Sequence, residues 1–326
     1  MALDWSPFVE FVRRHARFFL TTHVRPDADG IGSLQALAAA IEALGKTTVR
    51  VLPSDLPPRY DFLDPDRRLV VFARNASTYS ACDAAIVLDT GTWGQLADVG
   101  PFIRTFPGAK VVIDHHGTQD DLGAARFVDV NVEATGRLAM DAIRALGVPL
   151  TPEMAESLFA ALAWDTGWFR HSQTRPETML FAADLIASGA QPTRIYELLY
   201  ERNSLSGLKL RGLFLERLAT RADGRIAYSE IRVADYAATG ATPFDAEDFV
   251  DYPRSIDGVE IALRFIERRE GGLKVSFRSR RIDVAKLAEQ FGGGGHKLAA
   301  GATIAGDYES GRDRVLRAVE AAVMTP

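Results

Sequence analysis

The chain reads as an α/β protein: a mostly parallel sheet flanked by helices, then a second, smaller α/β domain. Three observations carry this reading. Residues 17–24 (RFFLTTHV), 47–52 (TTVRVL), 84–89 (AAIVLD) and 110–114 (KVVID) are short apolar, β-branched runs, as expected of strands buried on both faces. Between the first two lies LQALAAAIEALG, an alanine- and leucine-rich helix pattern with Gly45 as its stop, which makes a β-α-β unit. From about Gly224 the character changes, and RIAYSEIRV, VEIALRFIERR and GLKVSFRSR alternate apolar with polar positions as half-buried strands do.

The remaining elements follow in order. Segments 134–147, 152–163 and 176–188 have helical patterns, and Asp165 follows the second. Further helical pattern in 189–222 (IYELLYERN, LKLRGLFLERLAT) bridges the two domains, and VAKLAEQF is a helix ahead of the run Gly292 to Gly295 and His296. The expected division is residues 1–188, a helical linker over 189–222, and 223–326. There are no internal repeats, which excludes a solenoid.

Composition narrows the function. With 326 residues, 47% hydrophobic and 25% charged, the chain has room for two cores. A net charge of -5 and a pI near 5.8 exclude a broad basic surface for long nucleic acid and favour a small or short anionic substrate. Cys82 is the one cysteine, and neither a membrane-spanning run nor a secretion signal is visible, so a reducing cytoplasm is the expected location and no membrane partner is expected. Oligomeric state is left open, a homodimer included.

In a doubly wound sheet, functional residues gather beyond the carboxyl ends of the strands. His23, Asp27 and Asp29 in HVRPDADGIGS, Asp89 in IVLDTG, and Asp114, His115 and His116 in VVIDHHG fall at such ends, with Asp165 in AWDTGWF after a helix. A D-x-D pair alone is more often a turn or helix cap, and neighbouring strand residues point to opposite faces. The convergence of separate segments on one sheet edge is what points to metal.

Hard oxygen donors mixed with imidazoles suit two divalent cations such as Mn²⁺, Co²⁺ or Fe²⁺, with Mg²⁺ a further alternative, and do not by themselves choose among them. Two such ions about 3.5–4 Å apart can activate water against a phosphate ester and stabilise the departing oxygen. The expected ligands are His23, Asp27 and Asp89 for one ion and Asp29, Asp89, His115 and Asp165 for the other. Asp114 is expected to orient them, and His116 to face substrate as a phosphate ligand or proton donor, so Asp89, Asp114 and His116 are the catalytic candidates. Pro26 stiffens the loop that carries the first motif, and Gly30 and Gly32 allow close backbone approach.

These motifs resemble the DHH phosphoesterase superfamily, whose signature is the Asp114-His115-His116 tripeptide. VSFRSR, IDVAKLAEQFGGGGH and the following AAG resemble the associated DHHA1 domain, and together they are similar to the NrnA-like subfamily over nearly the whole length. The resemblance implies a manganese-dependent hydrolase that shortens very short RNAs to mononucleotides or removes the phosphate from 3'-phosphoadenosine-5'-phosphate (pAp). It also implies a nucleotide-binding DHHA1 lobe facing the metal site, with Arg278, Ser279, Gly293, Gly294, Gly295 and His296 as substrate contacts. A glycine run exposing N–H groups and a forked guanidinium both suit phosphate. Phe169 and Arg170 are further candidates for lining the cleft. The chain departs from the pattern in VEATGRLAM, where Arg137 stands in place of the acid of an S-T-x-E motif, a change that bears on substrate choice or on a contact behind the ligands. Competing readings are a phosphodiesterase for linear or cyclic dinucleotides of the pApA type, a manganese pyrophosphatase, a RecJ-like exonuclease, and a nucleotide sensor without turnover.

Overall fold

The computed structural model describes residues 3–73 and 77–324, and the chain divides into two compact units, Met1–Arg202 and Asn203–Pro326. The first unit is built on strands β1 (Arg17–Thr21), β2 (Thr47–Leu52), β3 (Leu69–Val71), β4 (Ala84–Leu88), β5 (Ala109–Asp114) and β6 (Ala125–Val128). They form one parallel sheet in the order β3-β2-β1-β4-β5-β6. The order reverses between β1 and β4, where open sheets of this kind form a crevice. The short strands β3 and β6 lie at the edges with two of three and two of four residues exposed; β6 lacks the apolar run that marks the four central strands, and that of β3 (LVV) is short.

The helices of this unit are α1 (Ser6–Arg14), α2 (Ala28–Ala43), α3 (Ser77–Ser80), α4 (Val99–Thr105), α5 (Thr135–Ala145), α6 (Pro152–Asp165), α7 (Pro176–Ala187) and α8 (Pro192–Tyr200). α2 begins earlier than the alanine-rich pattern indicates, because Asp27 Oδ1 accepts the N–H groups of Asp29 and Gly30 and so caps the helix at the first motif. Asp29 therefore sits in a first helical turn rather than in a loop. Gly45 ends the turn after α2 with φ +76°, as expected of a glycine stop. α2 is buried on nearly all sides, and its small residues explain how. At Gly32 a Cβ would lie 2.2 Å from the Ser157 carbonyl oxygen, so α6 packs directly on the α2 backbone.

The second unit carries α9 (Leu205–Glu216), β7 (Ala219–Arg221), β8 (Ile226–Ile231), α10 (Val233–Thr239), α11 (Asp251–Ser255), β9 (Ile261–Glu267), β10 (Leu273–Ser279), α12 (Val284–Glu289), β11 (Gly294–His296), β12 (Ala299–Ile304) and α13 (Tyr308–Met324). Within residues 189–222, α8 belongs to the first unit and α9 to the second, with the division at Arg202 and Asn203. The sheet is mixed, in the order β11-β12-β10-β9-β8-β7, with β8 and β9 parallel and the other pairs antiparallel. Alternation puts Ile261, Leu263, Phe265, Val275 and Phe277 against Val284, Leu287, Val315 and Val319 of α12 and α13. The opposite face carries Arg264, Ser276 and Arg278. The glycine run is not a free loop: Gly294 begins β11, which forms a hairpin with β12.

Candidate active site

At the carboxyl edge of the first sheet, two chain segments bring His23, Asp27 and Asp89 together, with one ligand atom from each within 4.8 Å of the others. His23 Nδ1 faces the Val24 carbonyl at 3.1 Å, which places the ring proton there and leaves Nε2 as the donor atom. That Nε2 lies 3.5 Å from Asp27 Oδ1 and 3.4 Å from Asp89 Oδ2. Asp89 follows β4 with φ +61°, a left-handed conformation that a non-glycine residue adopts at a cost of roughly 1–3 kcal/mol.

A second set contains Asp29, His115 and Asp165 under the same distance limit. His115 Nε2 is buried without a hydrogen-bond partner, yet lies 3.2 Å from Asp165 Oδ2, 3.7 Å from Asp89 Oδ1 and 3.9 Å from Asp29 Oδ2. Its Nδ1 faces the Val132 carbonyl at 3.4 Å. An orphaned imidazole nitrogen surrounded by carboxylates is what a cation site presents, and the mixed nitrogen and oxygen donors fit Mn²⁺ or a related ion. Asp165 is the last residue of α6 rather than a residue beyond it. His171 Nδ1 and Gln173 Nε2 pin its carbonyl at 3.1 and 3.0 Å.

Asp89 stands between the two sets with one oxygen toward each: Oδ2 faces His23, and Oδ1 faces His115. The same Oδ1 accepts a hydrogen bond from Thr135 Oγ1 at 2.9 Å. Asp29 is fully buried, and its carboxylate takes Thr135 N at 2.7 Å, Gly136 N at 2.8 Å and Ser33 Oγ at 3.1 Å. The positive end of α5 thus holds this carboxylate.

The charge imbalance is large. Burial, then Asp89 and Asp165, pushes the Asp29 pKa well above the ordinary carboxylate range, and burial raises Asp165. Burial alone would lower the His115 pKa, but Asp165, Asp29 and Asp89 outweigh it and raise it to about 10. Against the same burial effect, Asp27 and Asp89 hold His23 well above the usual value. More negative charge is gathered here than the side chains themselves neutralise.

Asp114 and His116 stand beside these sets. His116 Nδ1 lies 2.8 Å from Asp114 Oδ1 and 3.6 Å from Asp89 Oδ1, and its side chain is 42% exposed. Asp114 is fully buried and bonded to His116 and Gln119.

In the second unit, sheet register relates the other candidates. Arg278 pairs with Ala299, and Ala299 with His296, so both basic residues lie on one line across the sheet. The neighbouring line runs Arg264, Ser276, Gly301, Gly294. Nothing lies within 4 Å of a Cβ built at Gly294, whereas at Gly293 it would meet the Gly301 oxygen at 2.2 Å and at Gly295 the Ala299 oxygen at 2.6 Å. One expectation is corrected: the Gly293 N–H donates to the Ala288 carbonyl at 2.9 Å, so it is not exposed for phosphate, and this glycine answers close strand packing. Ser279 is buried, and its Oγ accepts the N–H groups of Arg281 and Ile282, the work of a turn residue.

Arg137 turns away from the metal ligands. It pairs with Glu133 at 2.7 Å, donates to the Glu177 carbonyl at 2.7 Å and stacks on Phe181 of α7. Arg170 is exposed, and Phe169 packs edge-on against Phe159. The residues that sequence reasoning missed are Thr135 and Gln119. Thr135 lay inside the segment singled out for Arg137, but as the first residue of α5, after Ala134 at the cap position, it carries no local signal.

A doubly wound sheet with this side-chain set at its crevice belongs to a hydrolase of phosphate ester bonds acting on nucleotides, and comparison with known proteins places it within that class. Residues 17–162 match the DHH family, N-terminal domain, and residues 223–325 match the DHHA1 domain. The bifunctional oligoribonuclease and PAP phosphatase NrnA of Thermus thermophilus is 32% identical, over 92% of this chain and 88% of that protein. The protein of the same description from Bacillus subtilis is 27% identical over 97% of both. An exopolyphosphatase-related protein from Bacteroides fragilis shares the fold, with a TM-score of 0.93 at 24% identity over 97% of this chain and 95% of that one. The chain belongs to the DHH/DHHA1 phosphoesterase family, in its NrnA-like branch. Among the described residues no helix is long and apolar enough to cross a membrane.

Proposed function

We propose that this protein hydrolyses short RNA oligonucleotides to mononucleotides and pAp to AMP, using two divalent cations, Mn²⁺ by preference. The observation that carries the reading is the division of Asp89, one oxygen toward each donor set. His23, Asp27 and Asp89 would hold one ion, and Asp29, Asp89, His115 and Asp165 the other. When bound, the ions supply an activated water and charge stabilisation at the phosphorus.

The chain's own groups do the rest. His116, held through Nδ1 by Asp114, hands a proton to the departing oxygen while the water oxygen becomes bonded to phosphorus. One P–O bond forms and one breaks, and the elements of water are divided between the products. Arg278, His296 and the open strand position at Gly294 hold the nucleotide phosphate. The names of the relatives support the substrate pair. Cys82, the one cysteine of the sequence, is buried and forms no internal disulfide, which is compatible with a reducing cytoplasm.

The test is incubation with Mn²⁺ and a labelled RNA dimer, pAp or pApA, reading mononucleotide or AMP. Mononucleotide and AMP should appear with the wild type. Asp89→Asn, which tolerates the left-handed backbone, should lose more than about 100-fold in turnover, beyond what an outer contact gives. Tight binding of substrate without product in the wild type would replace this reading with a sensor.

A further inference from the structure

We infer that Gln119 is a positioning residue for the hydrolytic step: it fixes the Asp114 carboxylate and, through it, the ring of His116. The inference rests on the function proposed above and adds a residue that neither the motifs nor the comparisons single out. Gln119 Nε2 donates to Asp114 Oδ2 at 2.5 Å and to the His116 carbonyl at 3.1 Å. Asp114 Oδ1 takes His116 Nδ1 at 2.8 Å and His116 N at 3.1 Å, so each oxygen of this buried carboxylate is engaged within the trio.

The seat for Gln119 is made by a different strand end. Gly91, two residues past Asp89, bridges to Gln119, and a Cβ there would lie 1.7 Å from Gln119 Oε1. Two more bonds clamp the same loops: Asp120 N to the Gly91 carbonyl at 2.8 Å, and Trp93 N to Asp120 Oδ2 at 2.8 Å. Inside the seat Gln119 Oε1 is buried with no hydrogen-bond partner. Turning the amide over would set its carbonyl against the Asp114 carboxylate, so Asp114 dictates the orientation. An apolar side chain of equal length would fill the seat without stranding an acceptor. The amide is therefore explained by what Nε2 holds, not by packing.

The experiment compares Gln119→Met with the wild type on two phosphodiesters in Mn²⁺: an RNA dimer, whose departing ribose oxygen needs a proton, and a p-nitrophenyl ester of a nucleotide, whose leaving group does not. The expected result is a kcat loss of about 10–100-fold on the dimer with KM unchanged. Loss on the p-nitrophenyl ester should stay within roughly twofold. Gly91→Ala evicts Gln119 without altering it, so it should give the same pattern, and the double variant should be no worse than either single one. Equal losses on both esters, or none on the dimer, would overturn the inference. Wild type that cleaves neither ester would instead remove the underlying function.

Discussion

In the first unit Asp29 and Asp114 are fully buried carboxylates that draw their hydrogen bonds from Thr135 N, Gly136 N, His116 and Gln119, whereas in the second Arg264 is a buried guanidinium that gives its hydrogen bonds to the carbonyls of Ala246 and Glu247 and to Ser276 Oγ. One unit stores negative charge in a cage of donors, and the other stores positive charge in a cage of acceptors. Dipoles hold such groups in place without cancelling their charge. Burial lowers the pKa of Arg264 and Arg278, yet a guanidinium stays charged inside proteins. The first unit is left attractive to cations, and the second to anions.

Three measurements sharpen or break this contrast. The largest effect is expected from Thr135→Val, which keeps the shape of the side chain and removes the hydroxyl on Asp89. Mn²⁺ affinity by calorimetry, or turnover, should fall by about 10–100-fold, with the melting temperature nearly unchanged. If neither moves, the donor cage around the carboxylates is scaffolding only. Next, Arg278→Ala should raise KM for the RNA dimer roughly tenfold while kcat holds, since one charge-assisted contact is lost. A fall in kcat with constant KM would place that arginine in the chemistry instead of in binding. The smallest effect on catalysis comes from the glycines. Gly293→Ala, which drives a methyl group into the Gly301 carbonyl, should destabilise the second unit by about 1–3 kcal/mol in denaturant titration. Gly294→Ala should not, having open space, and its effect should appear in KM. Equal stability of the two variants would refute the assignment of packing to one glycine and access to the other.

Most ligand candidates were legible because the motifs of His23, Asp27 and Asp29, of Asp89 and of His115 stand at the ends of strands that are readable as buried apolar runs; Asp165 ends a helix instead. The structure gathers His23, Asp27, Asp29, Asp89, His115 and Asp165, with Asp29 in the first turn of α2 and Asp165 at the end of α6. Thr135 and Gln119 were not legible, for a physical reason. Thr135 bonds Asp89, 46 residues away, and Gln119 is seated against Gly91 past another strand, while nothing local distinguishes a threonine at a helix start or a glutamine in a loop. The Arg137 departure drew attention to the right segment and the wrong side chain, since its partner Phe181 on α7 is unknowable before the helices pack. Likewise the glycine run gave composition without register. Only the β11–β12 pairing shows that Gly293 and Gly295 press against backbone while Gly294 does not.

The carboxylate of Asp29 is gripped by backbone amides 106 and 107 residues further along the chain. A ribosome that has delivered the first motif has therefore not yet delivered the parts that aim it, and the cluster stays incomplete until α5, and then α6 with Asp165 at its end, have emerged and docked.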